Sequence, residues 1–238
     1  MVITGTTPLR FRPPAKTLSH TETADYLATV PLFRGLDRAA LAGFSELARE
    51  HRFANRGSLA IDAEDALVIV RSGEARLVLT GDDGRVFILQ TFTAGDLFTE
   101  RSLPRASRVV FNKPSSVLVF RSAGFQAQLA LHPIVTWRLL MELSRRLRHA
   151  DATIGKLVML DVPGRVATLL LEHAAAGEPA TLVRQLTHHT MAQMIGASRE
   201  TVSRTMADFQ EKGLITVQRR TVTIVDRGAL EARARTRA

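Results

Sequence analysis

Between residues 186 and 217 the chain reads LTHHTMAQMIGASRETVSRTMADFQEKGLITV, and in it Arg199, Glu200 and Arg204 fall within two turns of a single helix. Arginine can hydrogen-bond guanine through two parallel N–H groups, and a glutamate carboxylate accepts from the amino group of cytosine. These are the groups a helix needs to read base edges in a DNA major groove. Around them Thr187, His188, His189 and Ser198 are placed to grip phosphates, and Thr201 and Ser203 add hydroxyls to the same surface. Adjacent histidines diverge on a helix, so His188 and His189 suit phosphate contact better than joint metal ligation.

A second stretch, GDLFTERSLPRAS at residues 95 to 107, carries Glu100, Ser102, Arg105 and Ser107. An arginine and serines for an anion, close behind acidic residues, are the residue types of a small-molecule phosphate pocket.

Both sets need elements to hold them. Met191, Met194, Ile195, Val202, Met206, Phe209, Leu214 and Ile215 can bury between two helices, one opened by Thr187 and one running from Arg199 to Lys212 behind a Ser198 cap. Ala192 permits close crossing and Gly196 the tight turn, which together predict a helix-turn-helix. TVQRRTVTIV adds a hairpin wing with Arg219 and Arg220 at its tip, where they could meet phosphate. An ordinary solvated ion-pair face is the competing reading of Arg199, Glu200 and Arg204; the neighbouring helix, the wing and a dimer seam upstream all favour DNA.

That seam lies after Pro133, where residues 140, 143, 147, 150, 154 and 157 are Leu, Leu, Leu, Ala, Ile and Leu. Alternating steps of three and four form a heptad pattern that calls for a partner helix. The opposite face, with Arg145, Arg146, Arg148 and Lys156, is too charged to bury. A parallel homodimer is therefore expected in preference to packing on the chain's own sheet. Asp161-Val162-Pro163-Gly164 breaks the helix and predicts a hinge.

Upstream the period changes to two. LVIVRSG, EARLVLT, VFILQTF and SVLVFRS are strand-like runs separated by turn signals, with GDDG at one hairpin tip, so residues of about 50 to 120 predict a small antiparallel sandwich or barrel. PLFRGLDRAALAGFSELARE predicts a short helix capped by Asp37 just before it. The first twenty or so residues show no period and are expected to form a mobile arm.

The chain has 238 residues, a formal net charge of +9 and a pI near 11.1, which favours an anionic partner, nucleic acid before an acidic membrane surface. It has no cysteine, which excludes disulfides, thiolate metal sites and a cysteine nucleophile. No apolar run approaches the roughly 20 residues of a membrane span, so no membrane partner and a cytoplasmic location are expected. No metal-ligand cluster, phosphate-cradling glycine loop or paired base and nucleophile supports an enzyme; a nucleotide hydrolase using Glu100 or Asp96 is the alternative in that class.

On GASRETVSRTMADFQEKGLI, RRLRHADATIGKLVMLDVPGRVATLL and the spacing around PLFRGL, RSGEARLVL, DDGR and AGDLF, the sequence resembles the Crp/Fnr superfamily of bacterial transcription regulators from about Pro31 onward. The resemblance implies an α+β fold: an N-terminal cyclic-nucleotide-binding-type β-roll, a long dimerisation helix and a C-terminal winged helix-turn-helix. The expected boundaries are a mobile arm at 1–24, the sensor at 25–132, the dimerisation helix at 133–161 and the DNA-binding domain at 162–238. The family's base-reading residues fall on Arg199, Glu200 and Arg204, as in its cAMP receptor protein branch, which implies a palindromic double-stranded DNA site of TGTGA type, with RNA polymerase a candidate further partner.

The family's phosphate cassette falls on residues 95–107, but only four residues separate Glu100 from Arg105, a shorter step than the cAMP-binding pattern has. Since each extended residue spans about 3.3 Å, the shortening moves Arg105 away from a standard cAMP pose. A threonine-serine pair that meets adenine in cAMP-binding relatives aligns with Ala150 and Asp151. An ionised aspartate only accepts hydrogen bonds, which suits the ring and amino donors of guanine. With Arg148 nearby, cyclic di-GMP or another guanine nucleotide such as cGMP is the expected effector ahead of cAMP, with Asp151 in a solvated ion pair as the bland alternative. No cofactor is required, and a ligand-independent regulator with a vestigial pocket stays open, as does a nucleotide-sensing protein that does not bind DNA.

Overall fold

The computed structural model describes residues 19–54, 57–59, 67–99, 107–175, 181–184, 186–218 and 221–235. Two compact units emerge, one built from residues 1–80 and 88–144 and the other from 81–87 and 145–238.

The first unit opens with α1 (His20–Thr29), a 3₁₀ turn at Pro31–Phe33 and α2 (Arg38–Leu47). Ser19 and Glu22 bond each other's backbone N–H groups in a reciprocal capping box that starts α1. The mobile arm expected over residues 1–24 is thereby corrected: residues 20–24 belong to a capped helix, and residues 1–18 lie outside the described ones. Asp37 caps α2 by accepting from the Ala40 N–H at 2.8 Å.

Strands follow as β1 (Ala48–Phe53), β2 (Gly57–Leu59), β3 (Leu67–Ser72), β4 (Ala75–Thr80), β5 (Val86–Phe92), β6 (Leu97–Thr99), β7 (Ser107–Phe111) and β8 (Ser115–Phe120). They form two four-stranded sheets, ordered β1-β8-β3-β6 and β2-β7-β4-β5. The continuous apolar run of β3 has a reason: each face of the strand is covered. Val68 and Val70 pack with Leu77, Phe98, Phe111 and Val117 in one cluster, while Leu67 and Ile69 join Phe33, Phe44, Leu118 and Phe120 in another that includes α1 and α2. Burying one such phenylalanine is worth about 1.5–3 kcal/mol.

Gly73 joins β3 to β4 at φ 87°, a conformation that side chains rarely adopt, and a Cβ there would lie 2.1 Å from Ser115 Oγ. Helix α3 (Ser122–Leu131) leads into the long α4 (Pro133–Met159). Arg138 of α4 donates to the backbone oxygens of Leu32 and Arg34, tying the start of that helix to the 3₁₀ turn. Leu140, Leu143, Leu147, Ala150, Ile154 and Leu157, the residues of the heptad seam, are all exposed on the single chain, Leu147 at 65%.

The second unit contains α5 (Val162–His173), β9 (Thr181–Arg184), α6 (His188–Ile195), α7 (Arg199–Glu211), β10 (Ile215–Gln218), β11 (Thr221–Ile224) and α8 (Arg227–Ala234). Asp161 caps α5, and Pro163 sits in its first turn, where the missing N–H costs nothing. The wing is broader than the expected hairpin: β9 pairs with β11 to give a three-stranded sheet in the order β10-β11-β9. Among the described residues no helix is long and apolar enough to cross a membrane.

Candidate nucleic-acid interface

Two helices and a turn carry the candidate interface. Thr187 Oγ1 accepts from the Thr190 N–H at 3.1 Å and opens α6. That helix ends at Gly196, whose φ of 64° and ψ of 44° place it in the left-handed region, and its N–H returns to the Ala192 oxygen. Two residues later Ser198 Oγ accepts from the Thr201 N–H at 3.1 Å and starts α7. The two caps and the left-handed turn fix where α7 begins, and so which side chains occupy its first turn.

The phase of α7 is set by burial. Val202, Thr205, Met206 and Phe209 face a core shared with Val166, Leu170, Met191 and Ile195, and Ala192 is buried where the helices cross. Arg199, Glu200, Ser203 and Arg204 are consequently exposed, with Thr201 half-buried at the edge. Steps of three and four residues align side chains on one helical face, which brings this set onto one surface.

The Glu200 carboxyl lies below the ordinary carboxylate range, held there chiefly by its own backbone N–H, then by the Ser198 hydroxyl and the nearby charge of Arg199. It is thus an anion at neutral pH and accepts hydrogen bonds without donating. Among the described residues neither Arg199 nor Arg204 has an ion-pair partner, so both guanidinium forks are open to an acceptor.

Of the phosphate-gripping candidates, Thr187 and Ser198 are committed to caps, His189 is exposed and His188 half-buried. Arg219 and Arg220, expected at the wing tip, lie outside the described residues. Sequence reasoning missed Thr190, whose hydroxyl bonds that of Thr187 at 3.0 Å, although a hydroxyl at N3 after a threonine cap is a readable signal. It also missed Arg233, whose partner Asp161 is 72 positions away.

Of the effector candidates, Glu100, Ser102 and Arg105 lie outside the described residues. Ser107 begins β7 opposite Leu79 and is half-buried. Arg148 and Asp151 stand three residues apart on α4, both exposed.

A strand roll, a long helix and a winged helix-turn-helix displaying two arginines and a glutamate define the class as a DNA-binding transcription regulator. Residues 60–132 match the cyclic nucleotide-binding domain family, and residues 164–233 match the Crp-like helix-turn-helix domain. The chain is 32% identical over 223 residues to the CRP-like cAMP-activated global transcriptional regulator of Mycobacterium tuberculosis, covering 89% of this chain and 99% of that one. In fold it is similar to a CooA variant from Carboxydothermus hydrogenoformans, with a TM-score of 0.73 at 21% identity over 94% of this chain and 98% of the other. The c-di-GMP responsive global regulator CLP of Xanthomonas campestris aligns with a TM-score of 0.63 at 23% identity, over 79% and 99% of the two chains. The chain belongs to the Crp/Fnr superfamily of transcription regulators.

Proposed function

We propose that the protein is a homodimeric regulator that binds a palindromic TGTGA-like site and whose affinity for that site is set by a cyclic nucleotide. The observation that carries this reading is the open face of α7, where Arg199, Glu200 and Arg204 stand together while the opposite face is buried. Arginine matches guanine, and glutamate matches the cytosine paired with it. The exposed seam from Leu140 to Leu157 supports a second copy as the partner of α4, and two copies related by a two-fold axis match a two-fold operator. The domain boundaries that go with this reading are a sensor that takes in α1 and ends at 132, a dimerisation helix at 133–161 and a DNA-binding domain at 162–238.

The test is fluorescence anisotropy with a labelled palindromic duplex at fixed salt. Binding that is tighter to the palindrome than to a scrambled duplex by at least about a thousandfold is expected. Equal affinity for the two duplexes sinks the assignment.

Two nucleotide classes compete for the sensor. The Mycobacterium tuberculosis relative is named as cAMP-activated, which favours an adenine nucleotide. The exposed Asp151 on α4, an acceptor where a threonine-serine pair would present hydroxyls, favours a guanine base, with cyclic di-GMP and cGMP the candidates. Titration calorimetry with cAMP, cGMP and cyclic di-GMP decides between them. Tight palindrome binding that none of the three alters supports the ligand-independent alternative, because an effector must bind one conformational state more tightly than the other.

A further inference from the structure

On the strand roll a cleft of about 300 Å³ opens between β1, β3 and the β7–β8 turn. It is lined by Glu50, Arg52, Phe53, Arg71, Pro114 and three serines. The volume is at the lower end of the range for small-molecule pockets.

The donors and acceptors of this cleft do not balance. Glu50, with a side chain only 2% exposed, accepts from Arg52 Nη2 at 3.1 Å and from Arg71 Nη1 at 2.9 Å. Two guanidiniums thus share one carboxylate, which leaves one net positive charge. Among the described residues Glu50 is the one hydrogen-bond acceptor that either guanidinium has, although each carries five N–H donors. Arg71 Nε is shielded from solvent and has no hydrogen-bond partner. Ser72 and Ser116 bond each other at 2.9 Å, which uses one of their two hydroxyl protons and leaves the other to be donated.

The remaining walls are apolar and firm. Phe53 stacks on Phe111 with ring centroids 4.1 Å apart and planes 9° from parallel, and Pro114 faces the same space. Tyr26 donates to the Val70 oxygen and stands beneath the Arg71 guanidinium, 5.7 Å from ring centroid to Cζ, which holds that arginine in place.

We propose that this cleft binds a small organic carboxylate, its oxygens on Arg52, Arg71 and the spare serine hydroxyl and its flat body against Phe53 and Pro114. A surplus of donors around a net positive charge selects an anion, and planar guanidiniums suit a carboxylate. The apolar walls favour an organic anion over an inorganic one.

The test is ligand-observed NMR on the full chain with benzoate as the probe, acetate and inorganic phosphate as competitors, and backbone amide shifts to locate the site. Saturable benzoate binding is expected, with shifts at Ser72 and Ser116, a loss of about tenfold in Arg52→Gln, and weak competition by phosphate. Arg52 is the choice because Arg71 still neutralises Glu50 when it is removed. Arg204→Ala, on the DNA-reading face, should bind benzoate like the wild type. Absence of a saturable signal, shifts confined to other regions, or unchanged binding in Arg52→Gln overturns the proposal. Displacement by phosphate and benzoate with equal ease overturns the role of the apolar walls. If Arg52→Gln fails to fold, the location of the wild-type shifts decides the matter alone.

Discussion

The Arg233 guanidinium donates to Oδ2 of Asp161 across 72 positions of the chain, while Oδ1 of the same carboxylate accepts from the Gly164 N–H at 2.8 Å. One side chain therefore caps α5 at the break after α4 and ties that cap to α8. Two further bonds span the break, Lys156 to Glu172 and Arg165 Nη1 to the Leu157 oxygen.

This pairing has a pH signature. Burial opposes ionisation of Asp161, but bonds from Arg233 and the Gly164 N–H, with the charges of Arg233 and Arg165, outweigh it and hold the carboxyl below the ordinary range. A depressed folded-state value means that the stabilisation is complete above the unfolded carboxylate value of about 3.9 and is lost as pH falls through the folded one. Asp161→Asn keeps a capping oxygen and loses the ion pair. Because the pair is partly exposed, the cost at neutral pH should be up to about 1 kcal/mol. Urea unfolding at a series of pH values should show the gap between wild type and variant closing in acid; a gap that stays constant would contradict the account.

Arg199→Ala and Arg204→Ala should each weaken palindrome binding by about 1–3 kcal/mol, with relaxed preference at the contacted guanine. Anisotropy against a set of single-base-substituted duplexes reads both effects. A uniform loss across all sequences would instead assign these arginines to phosphates.

Leu147 is 65% exposed in the middle of the α4 seam. Leu147→Glu puts like charges face to face in a parallel pair and should shift the protein to monomers in analytical ultracentrifugation. Helix content should hold, because glutamate is a good helix former at an exposed site. Palindrome affinity should fall toward that of a half-site. A variant that remains dimeric would place the dimer contact elsewhere.

Two glycines predict different costs. Gly196→Ala forces a side chain into the left-handed region at the helix-turn-helix turn, with no contact closer than 3.6 Å, and should cost about 1–2 kcal/mol of backbone strain. Gly73→Ala carries the same strain and also sets a Cβ 2.1 Å from Ser115 Oγ and 2.7 Å from the Pro114 oxygen, a backbone atom that cannot move aside cheaply. It should be the more damaging change, and thermal unfolding of the two variants gives the ranking.

Much of the helix capping and of the candidate interface was legible from short spacings. Thr187, Ser198, Asp37 and Asp161 cap the helices they precede, each bonding an amide three residues on, and that relationship is written into consecutive residues. The exposed and buried faces of α7 follow from its 3.6-residue period. The Ser19-x-x-Glu22 box that starts α1 was equally local, and it was obscured by the proline-rich and basic residues before it. The third strand of the wing was not legible: β9 is four residues long and earns its place by pairing Thr181–Arg184 with β11, a partner some forty positions later.

The sequence by itself determined which residues could read bases, which would cap helices and which would form an apolar seam, because those properties depend on neighbours within a turn or two. Tertiary structure alone decided that Arg233 would meet Asp161, that Arg52 and Arg71 would share Glu50, and that β3 would be covered on both faces. Residue type names the chemistry a side chain can do. Only the folding of distant segments onto one another determines which side chains come within hydrogen-bonding distance, and that distance decides which of those reactions and recognitions can occur.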